Sequence, residues 1–183
     1  MSTAPTHALV ALTMLNNFQR RRLPPTVWFA GAACAILPDI DIFGFGFGIR
    51  YGDLLGHRGL THSVASAAVL ASAVTFGFHR HFGGLSQRVV WGYLFLCTIA
   101  HGALDAATDG GLGIAFFSPF SNTRYFWPWR PLAVSPIGLR FFSTRGLRVV
   151  ASELRWIWAP CIGILIAGSA MRNRTPGQNP GTY

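Results

Sequence analysis

Five apolar runs, separated by short segments rich in Arg, Pro, Gly and Asp, constrain the fold of this chain more than any other feature. They are Ala8–Phe18, Val27–Leu37, Val64–Phe78, Val89–Leu104 and Trp156–Met171. Each run has the periodicity and the terminating residues of a helix. All five are shorter than the ~20 residues that cross a hydrocarbon core. The polar residues at their ends are therefore expected to lie within the edge of a bilayer.

The composition favours lipid over water as the surroundings of these runs. Of the 183 residues, 51% are hydrophobic and 11% are charged, whereas soluble proteins carry about 25% charged residues. A compact soluble helical core is the competing interpretation, because runs of this length can also be buried in a globule. The sequence predicts an all-α fold, a multi-pass helical bundle of about five short apolar helices in the inner cell membrane.

The predicted organisation is one membrane-embedded helical domain over residues 1–171. It consists of a motif core (7–109), an aromatic interfacial loop (110–152) and a last helix (153–171). Aromatic residues as dense as those between Phe116 and Trp129 suit the headgroup layer. Residues 42–49 alternate Phe or Ile with Gly and are expected to form a loop dipping into the interface, because repeated glycine weakens a strand. Residues 172–183 are expected to be a disordered polar tail.

The basic residues lie in loops rather than on one face of the chain. All 15 are Arg, against six acidic residues. This distribution is typical of a multi-pass membrane protein, with membrane lipids as partners, and argues against a nucleic-acid partner. Arg20–Arg22, Arg80 and Arg88 lie opposite the candidate site described below, and the positive-inside rule then places that site outside the cytoplasm. Further Arg residues in the 110–152 segment weaken this bias.

Histidine and aspartate are concentrated at the ends of the apolar runs. If successive runs cross the membrane in alternating directions, these groups reach the same end of the bundle. Ionisable groups at membrane depth are costly and point to function, and a divalent cation would balance clustered carboxylates. The competing interpretation is a set of helix caps and singly hydrogen-bonded imidazoles. The predicted metal ligands are His7, Asp39, Asp41, His57, His62, His101 and Asp105.

This ligand set predicts the kind of metal centre. Histidine and aspartate without thiolates suit Zn²⁺, Mn²⁺ or Fe²⁺. Seven ligands exceed the need of one tetrahedral zinc, so one or two ions are expected. His101, Asp105 and Asp109 follow one another at intervals of four residues, which places them on one face if the helix continues that far.

Several motifs together make the chain resemble the YdjM-type family of membrane-bound, metal-dependent hydrolases. The resemblance covers roughly residues 6 to 160 and departs from the family pattern at the Phe-Gly stretch. It implies a multi-pass membrane protein with hydrolase activity. The motifs that carry it are Thr6-His7, Pro38–Asp41, His57–Ser63, His101–Gly110, Ser118–Ser121 and Glu153.

The leading functional hypothesis is hydrolysis of an ester or phosphoester, such as a lipid, at the membrane surface by a metal-activated water. Arg58 would clamp an anionic oxygen, since guanidinium matches phosphate geometry. Asp109 or Glu153 would act as general base. Two alternatives stay open: a transporter or ion pathway, and a non-catalytic membrane protein with a structural metal site. The nearly pure apolar interiors of the runs count against the ion pathway.

Overall fold

The structure is a computed structural model that describes residues 1–17 and 23–174. Helices account for most of this part of the chain, which contains two isolated β-bridges and no strand. The all-α prediction is therefore confirmed. The helical segments are α1 (Ala4–Asn17), α2 (Pro25–Ile36), α3 (Val64–Gly77), α4 (Gln87–Ala106), α5 (Thr144–Glu153) and α6 (Ala159–Arg174).

Three of the helices are longer than the apolar runs that predicted them. A 3₁₀ helix, Leu37–Phe47, continues α2, and a π turn, Leu154–Trp158, joins α5 to α6. With these extensions, Pro25–Phe47 and Thr144–Met171 are long and apolar enough to cross a membrane, and so is α4, Gln87–Ala106, by itself. The expectation that every helix falls short of a full span was wrong for these three, because helices extend beyond their uninterrupted apolar stretches.

The Phe-Gly stretch is helical up to Phe47 rather than a loop. The 3₁₀ helix ends at Gly48, whose φ of 79° is the left-handed conformation that commonly terminates helices. The loop prediction was wrong because glycine weakens a helix only through conformational entropy and leaves the short-range 3₁₀ hydrogen bonds possible.

The last helix begins at Thr144, so the predicted interfacial loop over 110–152 was too long at its end. The buried face of α5 consists of Gly146, Val149 and Glu153. Arg145 precedes this face and Arg148 lies between Gly146 and Val149, so the two arginines interrupt the apolar run. A search for continuous apolar residues misses such an amphipathic segment.

Two predictions fall partly or wholly outside the described residues. The tail predicted from residue 172 starts inside α6, which continues to Arg174, and residues 175–183 lie outside the described part. Arg20–Arg22, on which the predicted orientation partly depends, also lie outside it. The orientation of the bundle in the membrane stays a prediction.

Helix α4 lies at the centre of the bundle and packs against α1, α2 and α3, while α1 also contacts α6. The approach of α2 to α4 is close at Gly31, where a Cβ would overlap the Tyr93 phenol. The Tyr93 hydroxyl donates to the Ala11 carbonyl oxygen at 3.2 Å and so ties α4 to α1. Large apolar side chains on the outside of these helices suit contact with lipid; they include Phe29, Val69, Phe76, Val89 and Ile166.

The first residues of α2 and α3 favour the start of a helix. The Ser63 hydroxyl accepts a hydrogen bond from the Ser66 backbone N–H at 3.1 Å and caps α3. Pro25 opens α2, where its fixed φ favours the first turn. Because α1 and α3 begin at the end of the bundle where the α2 extension and α4 finish, the polar residues of four segments meet there.

Candidate metal centre

Buried histidines and aspartates from distant parts of the chain meet at this end of the bundle. Four of them form the primary group, in which one ligand atom from each residue lies within 4.8 Å of the others: Asp39, His62, His101 and Asp105. A second group meets the same criterion and shares one histidine with it: Asp41, His57 and His62. The predicted convergence of these residues is confirmed. Either group could hold a metal ion.

The distances within the primary group match the spacing of ligands around one ion. Nε2 of His62 lies 3.0 Å from Nε2 of His101. Oδ1 of Asp39 lies 3.5 Å from the first of these nitrogens and 3.4 Å from the second. Oδ2 of Asp105 lies 3.9 Å from His62 Nε2. Ligands bound at about 2.0–2.2 Å in tetrahedral or octahedral geometry are separated by about 3 to 3.6 Å, so three of these distances fall in the range and the Asp105 distance is slightly longer.

The hydrogen bonds of the two imidazoles fix which nitrogen faces the primary group. His101 Nδ1 donates to the Ala35 carbonyl oxygen at 2.7 Å. His62 Nδ1 donates to the Thr61 hydroxyl at 3.0 Å, and that hydroxyl donates to Asp41 Oδ2 at 2.6 Å. In neutral rings with this tautomer, both Nε2 atoms carry lone pairs. Two lone pairs at 3.0 Å repel each other unless a proton or a metal ion lies between them, and metal-binding histidines are usually oriented in this way.

The carboxylate oxygens of the site that lack hydrogen bonds belong to the primary group, and the other unpartnered polar atoms there, in the part of the chain that the structure describes, are the ring nitrogens of His7 and Nε of Arg58. Both carboxylate oxygens of Asp39 and Oδ2 of Asp105 are buried without a hydrogen-bond partner among the described residues. Leaving such atoms unpaired costs about 1–3 kcal/mol each, and more for a charged group. Asp41 differs, because its Oδ1 pairs with His57 Nδ1 at 2.7 Å and its Oδ2 accepts from Thr61. The residues of the primary group therefore fit a divalent cation.

The charges of the site also favour a cation. Three buried carboxylates, Asp39, Asp41 and Asp105, lie within the two groups. Arg58 is the only side-chain cation other than histidine that pairs with them in the described residues, with its Nε 3.2 Å from Asp105 Oδ2 in an ion pair that lacks hydrogen-bond geometry. The Met1 amino group lies 4.0 Å from the same oxygen. Negative charge remains for imidazole protons or a metal to balance.

His62 lies in a short turn between helices, and its pKa reflects two opposing influences. Burial lowers the pKa, but the close contacts of the ring with the carboxylates of Asp39 and Asp41 outweigh burial and raise it to about 8. In the absence of a metal the ring therefore holds a proton at neutral pH. A metal ion must displace that proton in order to bind Nε2.

The turn between His57 and His62 depends on an unusual backbone. Arg58 has a φ of 65°, which is uncommon for a residue other than glycine, and strained backbone of this kind is often found at functional sites. A Cβ at Gly59 would overlap the Leu54 carbonyl oxygen. This tight turn directs both histidines into the site.

The Arg58 guanidinium is fully enclosed by protein. It donates to the Gly110 carbonyl oxygen and to the Thr108 hydroxyl, both at 2.9 Å, besides its ion pair with Asp105. These contacts connect the turn to the end of α4 and orient Asp105. The predicted role of Arg58 as an anion clamp stays a prediction, and the structure shows both of its Nη atoms donating to protein groups while Nε forms only the ion pair.

The remaining predicted residues lie beside the centre or away from it. His7 stacks on the His101 ring with a centroid distance of 3.9 Å, and its Nε2 lies 3.5 Å from Asp105 Oδ1, outside both ligand groups. Glu153 is buried, and its carboxylate accepts from the Thr3 backbone N–H at 2.6 Å and from the Thr6 hydroxyl at 2.7 Å. It therefore ties the last helix to the start of α1.

Asp109 lies beyond the helix that was expected to carry it. Helix α4 ends at Ala106, so Asp109 does not share a helix face with Asp105, and that expectation was wrong. The glycines that follow Asp109 end the helical pattern. Its exposed carboxylate accepts a hydrogen bond from the Val134 backbone N–H at 2.8 Å. The predicted general-base roles of Asp109 and Glu153 stay predictions.

Two contributors to the site were missed at the level of sequence. Thr61 relays the hydrogen bond between His62 and Asp41, and its place inside the His57–Ser63 motif was an available signal. The Ala35 carbonyl oxygen orients His101. Backbone carbonyls carry no residue-type signal, so this contact could not be found without the fold.

Comparisons with known proteins agree with this architecture. A family model described as "YdjM inner membrane protein" matches residues 1–175. Inner membrane protein YbcI of Escherichia coli (strain K12) is 39% identical over 170 residues, which cover 92% of this chain and 96% of that protein. No solved structure matches. With its three helices able to span a bilayer, the chain belongs to the YdjM inner membrane protein family and is a multi-pass protein of the inner membrane.

Proposed function

We propose that this protein is a membrane-bound, metal-dependent hydrolase that cleaves an ester or phosphoester at the membrane surface. The observation that carries the proposal is the primary group, in which buried ligand atoms of Asp39, His62, His101 and Asp105 face one another. Two imidazoles with two carboxylates suit Zn²⁺ or Mn²⁺. Such an ion, when bound, supplies a Lewis acid and lowers the pKa of a coordinated water.

A single ion in the primary group accounts for the contacts better than a two-ion centre. The second group is already satisfied by its own hydrogen bonds, since Asp41 accepts from His57 Nδ1 and from Thr61. These bonds make Asp41 an orienting residue for the two histidines. The buried carboxylate oxygens without hydrogen-bond partners among the described residues lie in the primary group.

His57 is the residue we assign to proton transfer. Its Nδ1 donates to Asp41 Oδ1 at 2.7 Å, which leaves Nε2 as the free proton acceptor. The ring lines a cavity beside the primary group. An imidazole held by a carboxylate in this way can take a proton from a nucleophile and return it to a leaving group. The carboxylates of Asp109 and Glu153 are engaged in anchoring contacts, which makes them less suited to this role.

The interior of the bundle favours hydrolysis over an ion pathway. Below the site, the core is built from aliphatic and aromatic side chains of α1, α2, α3 and α4 together with two cysteines, and its buried polar side chains are uncharged hydroxyls, those of Thr13, Thr75, Tyr93 and Thr98. An ion route across the membrane would require polar groups along its length. A lipid or another membrane-borne molecule is the substrate class that suits a site at one end of such a bundle.

The test separates an enzyme from a protein whose metal only holds helices together. Purified protein in detergent, loaded with Zn²⁺ or Mn²⁺, is assayed on p-nitrophenyl acyl esters, phosphate monoesters and phosphate diesters. We expect metal-dependent hydrolysis that falls by about 10²–10⁴-fold in His57→Gln, with unchanged metal content. His79→Gln, an exposed histidine between α3 and α4, is the matched control. Full metal content without hydrolysis of any of these substrates would favour a structural metal.

A further inference from the structure

A cavity of about 630 Å³ opens beside the metal centre, and its lining combines polar and basic groups with apolar residues such as Val134 and Ile137. His57 forms part of its wall and connects it to the centre through Asp41. Another part of the lining comes from the start of α5 and the segment before it, which carry two arginines. The polar lining residues are Tyr51, His57, Ser135, Arg140, Ser143 and Arg145.

Neither of these two arginines is neutralised by a carboxylate of the described chain. All six acidic residues have described positions, and none pairs with Arg140 or Arg145. Three of the carboxylates lie at the metal centre, and the others accept hydrogen bonds elsewhere. Ser143 precedes α5, lines the cavity and makes no side-chain cap. The positive N-terminal end of this helix therefore adjoins the cavity. The cavity is therefore an electropositive site.

Apolar side chains stand next to the arginines on the same segment. Leu139 is 87% exposed and Phe142 is 84% exposed. In a protein of the inner membrane, side chains of this kind adjoining a basic site suit the boundary between headgroups and acyl chains. A ligand that satisfies both features carries an anionic group and an apolar chain.

We propose that this cavity binds the phosphate group of an amphiphilic phosphoester, with Arg140 and Arg145 as its phosphate-binding residues and with Leu139 and Phe142 against its apolar part. Guanidinium groups match phosphate oxygens in paired hydrogen bonds. The inference deepens the proposed hydrolase function, since it names the substrate class of the same site. It places the phosphate in the cavity that His57 also lines.

The test measures binding without turnover. Dihexanoyl phosphatidic acid, dihexanoyl phosphatidylcholine and inorganic phosphate are titrated calorimetrically into the detergent-purified protein. The variants are Arg140→Gln/Arg145→Gln and the matched control Arg148→Gln, an exposed arginine of α5 outside the cavity. We expect the double variant to bind phosphatidic acid about tenfold or more weakly, and the control to bind it as the wild type does. Equal binding by wild type and double variant would overturn the proposal.

Further measurements distinguish an amphiphilic phosphoester from free phosphate as the ligand. They also distinguish failure of the phosphate-site proposal from failure of the hydrolase proposal. An amphiphilic ligand is supported if the wild type binds phosphatidic acid more tightly than inorganic phosphate and Leu139→Ser/Phe142→Ser loses this difference. Equal affinity of the wild type for phosphatidic acid and inorganic phosphate overturns the proposal that the ligand is amphiphilic. Metal content is measured on the same samples. Wild-type protein without metal that still binds phosphate through the two arginines contradicts the hydrolase and leaves the phosphate site standing. If the protein holds metal but the Arg140→Gln/Arg145→Gln variant binds phosphate as tightly as the wild type, only the phosphate site is contradicted.

Discussion

The imidazoles of His62 and His101 are held through their Nδ1 atoms, one by a threonine hydroxyl and the other by a backbone carbonyl oxygen. The sequence predicted that both residues would reach one site, because each lies at the end of an apolar run. It could not predict which nitrogen would face inward, because that depends on a carbonyl of α2 brought close by helix packing. The same limit applies to Asp39 and Asp41, which look equivalent in the sequence and differ in their hydrogen bonds.

Metal binding is expected to weaken as the pH falls below about 8. The pKa of His62 is raised to about 8, so a proton occupies the ring below that pH and the metal must displace it. We expect the apparent dissociation constant to increase about tenfold for each pH unit below 8 and to level off above it. Competition with a chromophoric chelator between pH 6 and pH 9, about the range spanning this pKa, measures it. An affinity independent of pH across this range would contradict a role for His62 as ligand.

Asp41→Asn is expected to weaken metal binding without changing its stoichiometry. The substitution removes the carboxylate that accepts hydrogen bonds from His57 and Thr61, and losses of this kind typically cost 10–100-fold in metal affinity. Competition titration and metal analysis measure affinity and stoichiometry together. Asp53→Asn, in a nearby exposed turn, is the control. If the wild type binds two ions and the variant one, Asp41 is a direct ligand instead.

At the scale of elements, apolar runs located the helices but misjudged where they end. The predicted runs omitted the 3₁₀ extension of α2 and the whole of α5, which alternates arginines with its buried Gly146 and Val149. Helix ends depend on capping and on packing of an amphipathic face, and neither is visible as hydrophobicity. The convergence of the site survived these errors because it depends on the direction of each helix rather than on its length.

The turn between His57 and His62 provides a test at this scale. In Gly59→Ala, the new Cβ would overlap the Leu54 carbonyl oxygen, so the turn must shift. We expect destabilisation by about 1–3 kcal/mol and reduced metal content. Gly46→Ala is the matched control, because a Cβ there meets no atom within 4 Å. Thermal unfolding in detergent and metal analysis measure both variants, and equal stability of the two would show that the turn is not constrained.

At the scale of the whole molecule, the shortage of charge predicted a membrane protein, and the alternating direction of helices predicted the shared end. The family and the inner-membrane location agree with both. The ligands of the primary group come from the α2 extension, the turn before α3, and α4. A bound ion would therefore connect elements that are distant in sequence.

Removal of the metal is expected to lower the thermal stability of the whole bundle. An ion present at a thousandfold excess over its dissociation constant stabilises the folded state by about 4 kcal/mol. We expect a chelator to lower the Tm of the wild type and to leave the Tm of His101→Gln unchanged, since that variant lacks a ligand. Thermal unfolding followed by intrinsic fluorescence measures this. The same chelator-induced shift in both proteins would mean that the stabilising ion lies elsewhere.

The most direct test of the metal centre is elemental analysis of protein purified in detergent without chelator. We predict about one equivalent of zinc or manganese in the wild type and in His79→Gln, and almost none in His62→Gln and His101→Gln. Gel filtration of each sample verifies that the variants remain folded. A wild type without transition metal, or folded ligand variants that retain it in full, would contradict a metal centre built from these residues.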